Sequence, residues 1–229
     1  MSVGLLVVAA GPGSRLKCDV PKALVHVAGV PLLVRTVRRF ECVDLVDGAV
    51  VVVPPEHRRD FEEIVKEAFP ESSIQVVDGG AERQVSVAKG LAAIDEGTEW
   101  VAIHDAARPF VGAEAIRKAI EAAQMIGAAT VAVPCEDTIL ESGEDGMLAA
   151  TPDRNQLWAC QTPQVFALEV IRAAHEKAGD LGATYTDDAT LVRAAGHEVK
   201  IVRGSPENIK ITTQSDLAFA EFLIREGAV

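Results

Sequence analysis

Residues 3–22 read VGLLVVAAGPGSRLKCDVPK. The first eight, VGLLVVAA at 3–10, form a continuous apolar run of strand length rich in valine and leucine. Such a run suits a strand buried on both faces, the habit of parallel sheets rather than of half-exposed antiparallel ones. A turn-rich loop follows and gathers Gly11, Gly13, Arg15 and Lys22. Its glycines permit positive φ and close backbone approach, and successive N–H groups in such a loop can form an anion-binding concavity.

The rest of the chain repeats this rhythm. Apolar runs predict strands at 48–54, 74–77, 100–104, 128–134, 198–202 and 208–212. Helical spacing predicts helices near 31–41, 58–69, 84–94, 113–125, 167–178, 187–195 and 213–225. The alternation predicts an α/β fold in one domain over 1–229, a mostly parallel Rossmann-like sheet flanked by helices. Ligands of such sheets bind beyond the carboxyl ends of the strands, so the loops opening at Ala10, Asp78, His104 and Pro134 are where chemistry is expected. After Pro134 the rhythm breaks: extended pieces around SGEDG predict a projecting β-arm over 135–164. A lone two-stranded ribbon is marginally stable, so the arm is expected to pack against its equivalent in a homodimer. Leu140, Leu148, Leu157 and Trp158 would supply apolar contact, Trp158 as a packing residue.

Nearly half of the 229 residues are apolar but only 4% are aromatic, so Val, Ala, Leu and Ile must build the core. A formal charge of -12 argues against a broad nucleic-acid surface. An anionic small molecule would need a local basic pocket set against that field. Cys18, Cys42, Cys135 and Cys160 show no C-x-x-C spacing, which disfavours zinc ribbons and dithiol redox motifs. With no signal-like segment, and no apolar run near the ~20 residues that span a bilayer, a cytoplasmic setting without a membrane partner is expected.

The opening loop fits neither common nucleotide fingerprint. A Walker A loop would end in G-K-[ST], which is absent, and Leu16 occupies the third glycine position of G-x-G-x-x-G. It reads either as a phosphate cradle or as a glycine-rich turn with exposed basic residues. In VVDGGAERQVSV (76–87), Gly79, Gly80 and Ser86 could surround a ligand or simply open a helix. In IHDAARPF (103–110), Asp105 ends a buried strand beside the phosphate loop, a natural place for a Mg²⁺ ligand, and an Asp105–Arg108 ion pair is the structural alternative. His104 reads as a hydrogen-bonding neighbour. Arg154, with Thr162 and Gln164 nearby, could carry charge back to a neighbouring site. Thr186 in TYTDDAT offers a hydroxyl where a helix N-cap is also expected. Lys210 projects from an apolar stretch, NIKIT, where a lysine is costly unless it meets a charged ligand or solvent.

Taken together, AAGPGSRL…PKAL, VVDGGAER…S, HDAARPF, Asp137–Thr138, DRNQLW, QTPQ, TDDA and NIKIT resemble the 2-C-methyl-D-erythritol 4-phosphate cytidylyltransferase family through nearly the whole chain. The resemblance implies that the backbone from Ala10 through Gly11 to Gly13 cradles the triphosphate of CTP, that Gly80 and Ser86 read the cytosine, and that Asp105 helps hold Mg²⁺. It implies that Arg15, Lys22 and Lys210 stabilise the reacting phosphates. Arg108, Thr138, Arg154 and Thr186 would bind the methylerythritol phosphate, Thr138 and Arg154 from the partner subunit. The sequence departs from the family's habit at Ala81, where some members carry an acid, at Val85, where a polar residue is frequent, and at Asp188, where glutamate is common. The nearest alternative is a ribitol 5-phosphate cytidylyltransferase. A nicotinamide oxidoreductase is disfavoured by Leu16 and by the missing ribose acid, and a non-catalytic nucleotide-binding module would not need Arg15, Lys22, Asp105 and Lys210 together.

Overall fold

The structure is a computed structural model that describes residues 2–11, 13, 16, 18, 20–43 and 46–227. In chain order, β1 (Val3–Val8) leads through the glycine-rich loop to a 3₁₀ turn (Lys22–Leu24) and the small pair β2 (His26–Val27) and β3 (Val30–Pro31). Then come α1 (Leu32–Glu41), β4 (Gly48–Val53), α2 (Arg58–Ala68), β5 (Gln75–Asp78), α3 (Arg83–Ala93) and β6 (Trp100–Asp105). The chain continues through α4 (Ala113–Ile126), β7 (Ala128–Pro134), the hairpin β8 (Glu141–Ser142) and β9 (Leu148–Ala150), and β10 (Trp158–Ala167). It ends with α5 (Leu168–Asp180), α6 (Asp188–Ala194), β11 (Lys200–Arg203) and α7 (Gln214–Arg225).

One seven-stranded sheet runs in the order β11-β7-β10-β6-β1-β4-β5. Every pairing in it is parallel except those of β10, which runs antiparallel to both β6 and β7. The apolar run at 3–10 is explained by its place: Leu5 faces the layer of α1, α2 and α4, and Leu6 the layer of α3, α5 and α6. Both are fully buried, and each such burial contributes about 1.5–3 kcal/mol over exposure. Helix ends follow local chemistry. At the end of α4, Gly127 takes φ 101°, a left-handed conformation that glycine adopts without a Cβ penalty, and the chain reverses at once into β7. At the start of α7, Thr213 and Asp216 form a reciprocal capping box.

The topology places a crevice. From β1 the chain moves out to β4 and β5, then returns to the other flank of β1 as β6. That reversal between β1 and β6 is the switch point at which α/β sheets bind ligands.

Two expectations need correction. The arm is shorter than 135–164. Residues from Trp158 onward belong to β10 in the main sheet, with Trp158 opposite Pro134. Pro163 disguised this strand, because proline is excluded from regular ladders; the register shifts between Cys160 and Gln164 and so accommodates it. Among the described residues, the β8–β9 hairpin and its flanks stand off, exposing Leu140 and Leu148, and Trp158 is 37% exposed. Residues 208–212 are not a strand. Their apolar–polar alternation is satisfied by burying Ile211 among Leu16, Phe110, Ala220 and Leu223, with one backbone bond from Ile211 N–H to the Ala107 carbonyl. No helix among the described residues is long and apolar enough to cross a membrane.

Candidate active site

A cleft opens at the switch point. Ala10 and Gly11 come from the loop after β1, Gly80 and Ser86 from the loop and first turn after β5, and Asp105 from the end of β6; Lys22 and Lys210 complete its basic side. Residues drawn from both ends of the chain are thus brought together. Arg15 lies outside the described residues.

Asp105 is the electrostatic centre. Its Oδ2 accepts from Lys210 Nζ at 2.7 Å, its Oδ1 stands 3.5 Å from Arg83 Nε, and Arg108 Nε approaches Oδ2 at 3.8 Å. Burial opposes ionisation of this carboxyl, but Lys210, Arg83 and Arg108 outweigh it and hold it well below the usual carboxylate range. The anticipated Asp105–Arg108 pair is therefore present, although its contact is the longest of the three. Arg108 is mostly buried and is not among the residues that line the cleft. Its Nη1 donates to the Asn208 carbonyl at 2.7 Å and its Nη2 to the Cys160 carbonyl at 3.2 Å. Asn208 in turn donates its amide to Gln161 Oε1 and the Thr162 carbonyl, which fixes the segment that delivers Lys210.

His104 is a buried structural hub. The Asp105 N–H donates to Thr162 Oγ1 at 3.1 Å, so the Thr162 hydroxyl proton is free to point at His104 Nδ1, 2.9 Å away. The opposite nitrogen, Nε2, then carries the proton and donates to the Arg108 carbonyl at 3.0 Å. Burial lowers the His104 pKa to about 4, against the pull of the Arg108 carbonyl and Asp105, which leaves a neutral ring. Its role is to shape the end of β6.

The glycines serve different ends. A Cβ on Gly13, which has φ 65°, would come within 2.8 Å of Lys22 Cβ, so this glycine lets the loop lie against the stem of Lys22. Gly79 packs its backbone on Ala10, and a Cβ there would meet Ala10 Cβ at 2.5 Å. Gly11 has open space around it. Ser86 holds the loop itself: its Oγ accepts from Gly80 N–H at 3.0 Å and donates to the Glu82 carbonyl at 3.0 Å.

Among the described candidates, Gly13, Arg108, Thr138, Arg154 and Thr186 do not line the cleft. Thr186 is exposed on the loop before α6, and Thr138 and Arg154 are exposed on the flanks of the arm. Arg154 Nη1 donates to the Glu136 carbonyl at 2.7 Å, which ties the two flanks together. One cleft residue escaped the sequence reading. Arg83 lines the cleft and bridges Asp105 to the buried Asp188, whose Oδ2 accepts from its Nη1 at 2.7 Å. The available signal was an arginine in the first turn of a helix, where the helix dipole disfavours positive charge unless carboxylates compensate it.

The family model of 2-C-methyl-D-erythritol 4-phosphate cytidylyltransferase matches residues 3–226. The chain belongs to that family. A cytidylyltransferase of this name from Caldanaerobacter subterraneus subsp. tengcongensis is 43% identical over 99% of this chain and 100% of its own length. One from Geobacter metallireducens is 44% identical over 99% of both chains. Among solved structures, 2-C-methyl-D-erythritol 4-phosphate cytidylyltransferase from Thermus thermophilus superposes with a TM-score of 0.81 at 34% identity, covering 98% of this chain and all of the other. The 4-diphosphocytidyl-2C-methyl-D-erythritol synthase of Anaerococcus prevotii gives 0.86 at 30% identity, covering 97% and 96%. Lys22, Arg83 and Lys210 bring positive charge to the cleft of this acidic protein, beside Glu82 and Asp105.

Proposed function

We infer that the protein transfers CMP from CTP to 2-C-methyl-D-erythritol 4-phosphate and releases pyrophosphate, a step of isoprenoid biosynthesis. The observation that carries this reading is the cation-lined cleft at the β1/β6 switch point of a chain that matches the family from residue 3 to 226. A phosphate oxygen of the polyol phosphate attacks the α-phosphorus of CTP, the bond from that phosphorus to the β-phosphate bridge breaks in line, and pyrophosphate departs with the electron pair. No side chain forms a covalent bond in this scheme. The enzyme's part is positioning and charge stabilisation.

The roles are those that the family resemblance implies. The backbone at Ala10, Gly11 and Gly13 meets the triphosphate, and Gly80 with Ser86 frames the base. Lys22, Lys210 and Arg15 neutralise charge that develops on the reacting phosphates. Arg108, beside Asp105, and Thr186, on the loop before α6, serve the polyol phosphate. A divalent cation such as Mg²⁺ fits the donor set: an ionised carboxylate at the cleft, Asp105, beside the phosphates of a bound nucleotide, is how Mg²⁺ is usually held. Among the described residues no three His, Cys, Asp or Glu side chains form a cage, so most ligands would come from substrate and water. When bound, the cation would supply charge neutralisation on the phosphates. The arm belongs to the same reading. Its exposed Leu140, Met147 and Leu148 support a homodimer in which Thr138 and Arg154 reach the partner's polyol phosphate. Four free cysteines are in keeping with a cytoplasmic setting.

The test is a pyrophosphate-release assay with CTP and either methylerythritol 4-phosphate or ribitol 5-phosphate. Release is expected with the first polyol, abolished by chelator and restored by Mg²⁺. Release with ribitol 5-phosphate alone would overturn the substrate assignment, and full turnover after rigorous metal removal would overturn the metal.

A further inference from the structure

Arg83 is held between two buried carboxylates at unequal distances. Its Nη1 is 2.7 Å from Asp188 Oδ2, whereas its Nε is 3.5 Å from Asp105 Oδ1. The shorter bond belongs to the residue farther from the reaction. Asp188 is only 2% exposed and rigidly mounted. It opens α6, and its N–H and that of Ala189 both donate to Gln164 Oε1 on β10 at 3.0 Å. Its remaining oxygen faces His175 Nε2 of α5 at 3.4 Å. Beside this pair, Gln84 donates to the Ala183 carbonyl and accepts from Tyr185 N–H, so the first turn of α3 is stitched twice to the segment that leads into α6. Burial works against the Arg83 charge, but Asp188 and Asp105 outweigh it and raise its pKa above the ordinary guanidinium value.

We propose that Asp188 is a positioning residue for cytidylyl transfer: by anchoring Arg83 it holds the guanidinium at the cleft wall, in a long contact with Asp105, and prevents it from closing as a fork on that carboxylate. The physical reason is competition. A guanidinium freed from Asp188 has one buried carboxylate left to pair with, and the two-toothed Arg–carboxylate geometry is the favourable one. Closure would pull Asp105 away from Lys210 and draw the first turn of α3, with the Gly80–Ser86 loop it carries, toward β6. The anchor therefore sets the reactive geometry of Asp105 and Lys210 rather than ground-state affinity. The proposal rests on the placement of Asp105 in the reaction centre.

Asp188→Asn keeps the shape and one acceptor but removes the charge. The expected result is a kcat lowered on the order of 100-fold, as for a small misplacement of reacting groups. KM for CTP and for the polyol phosphate should stay within about threefold of wild type, the pattern of an interaction felt in the transition state. Asp188→Glu should rescue most of the turnover. Arg83→Gln combined with Asp188→Asn should be no slower than Arg83→Gln alone, because Asp188 acts only through Arg83. Wild-type kcat in Asp188→Asn, or losses that multiply in the double variant, would overturn the proposal. If Asp188→Asn does not fold, the test passes to the double variant, which leaves neither charge unpaired. Turnover equal to that of Arg83→Gln sustains the proposal, and turnover well below that of Arg83→Gln overturns it. Asp105→Asn is the control for the underlying placement: if it turns over normally, Asp105 is not in the reaction centre, whatever the Asp188 variants do.

Discussion

Lys210 Nζ lies 2.7 Å from Asp105 Oδ2, although the two residues come from opposite halves of the chain. The lysine is 39% exposed toward the cleft and the aspartate is buried. One partner thus faces the cleft while the other is fixed at the end of a central strand. The contact sets both the charge presented to the cleft and the ionisation of the β6 carboxylate there.

Replacing Lys210 by alanine should lower kcat by roughly 100- to 1,000-fold, the range for losing one preorganised donor to developing charge. It should also raise the Asp105 pKa, because the principal charge that opposes its burial is gone. The Asp105 pKa is depressed in the folded protein, so the carboxylate works at all pH values above the depressed value. Without Lys210, the acid limb of the kcat/KM profile should move to higher pH. An unchanged acid limb would remove Lys210 from this role.

His104 predicts a stability window. Its proton is taken up only near pH 4 in the folded state but near 6.5 when the chain unfolds. The unfolded state therefore binds more protons between these values. Stability should be full above about pH 6.5 and decline by on the order of 3 kcal/mol as pH falls toward 4. Urea unfolding at pH 7.5, 5.5 and 4.5 measures this directly. A free energy of unfolding that stays flat across the three would contradict a neutral buried ring.

The glycines of the cleft separate packing from ligand approach. Gly79→Ala should destabilise by about 1–3 kcal/mol, because its Cβ would meet Ala10 Cβ at 2.5 Å. Gly11→Ala meets nothing within 4 Å, so its stability should change by less than about 0.5 kcal/mol. If the triphosphate lies against that backbone, Gly11→Ala should nevertheless raise KM for CTP. Unaltered CTP binding would place the triphosphate elsewhere.

Shared sites can be tested by mixing. Arg154→Ala should raise KM for the polyol phosphate far more than KM for CTP. A mixed dimer of Arg154→Ala and Lys22→Ala chains has one site with both defects and one with neither, so activity should return once subunits exchange. Confirmed exchange without recovery, or a fully active monomer on sizing, would exclude a site completed by the partner.

Much of this was legible in the sequence because buried parallel strands write themselves as unbroken apolar runs. VGLLVVAA and GAVVVV correspond to β1 and β4 within a residue or two. The loops after such strands could then be searched for chemistry, and Gly11, Lys22, Gly80, Ser86, Asp105 and Lys210 do meet in one cleft. What escaped depended on tertiary context. Strand β10 carries Pro163 and a register shift, so no local pattern marked it as central. The strand-like alternation at 208–212 is spent on packing Ile211 under α7 rather than on a ladder. Arg83 looked like an ordinary helical residue, because its partners Asp105 and Asp188 come from β6 and α6.

The most direct test of attack by the polyol phosphate on the α-phosphorus is the fate of its oxygen. Methylerythritol 4-phosphate labelled with ¹⁸O in the phosphate is turned over with unlabelled CTP, and both products are examined by mass spectrometry. The label should appear wholly in the cytidine diphosphate polyol, including its bridging position, with unlabelled pyrophosphate. Label in the pyrophosphate, or release of free CMP with the polyol phosphate unconsumed, would contradict cytidylyl transfer.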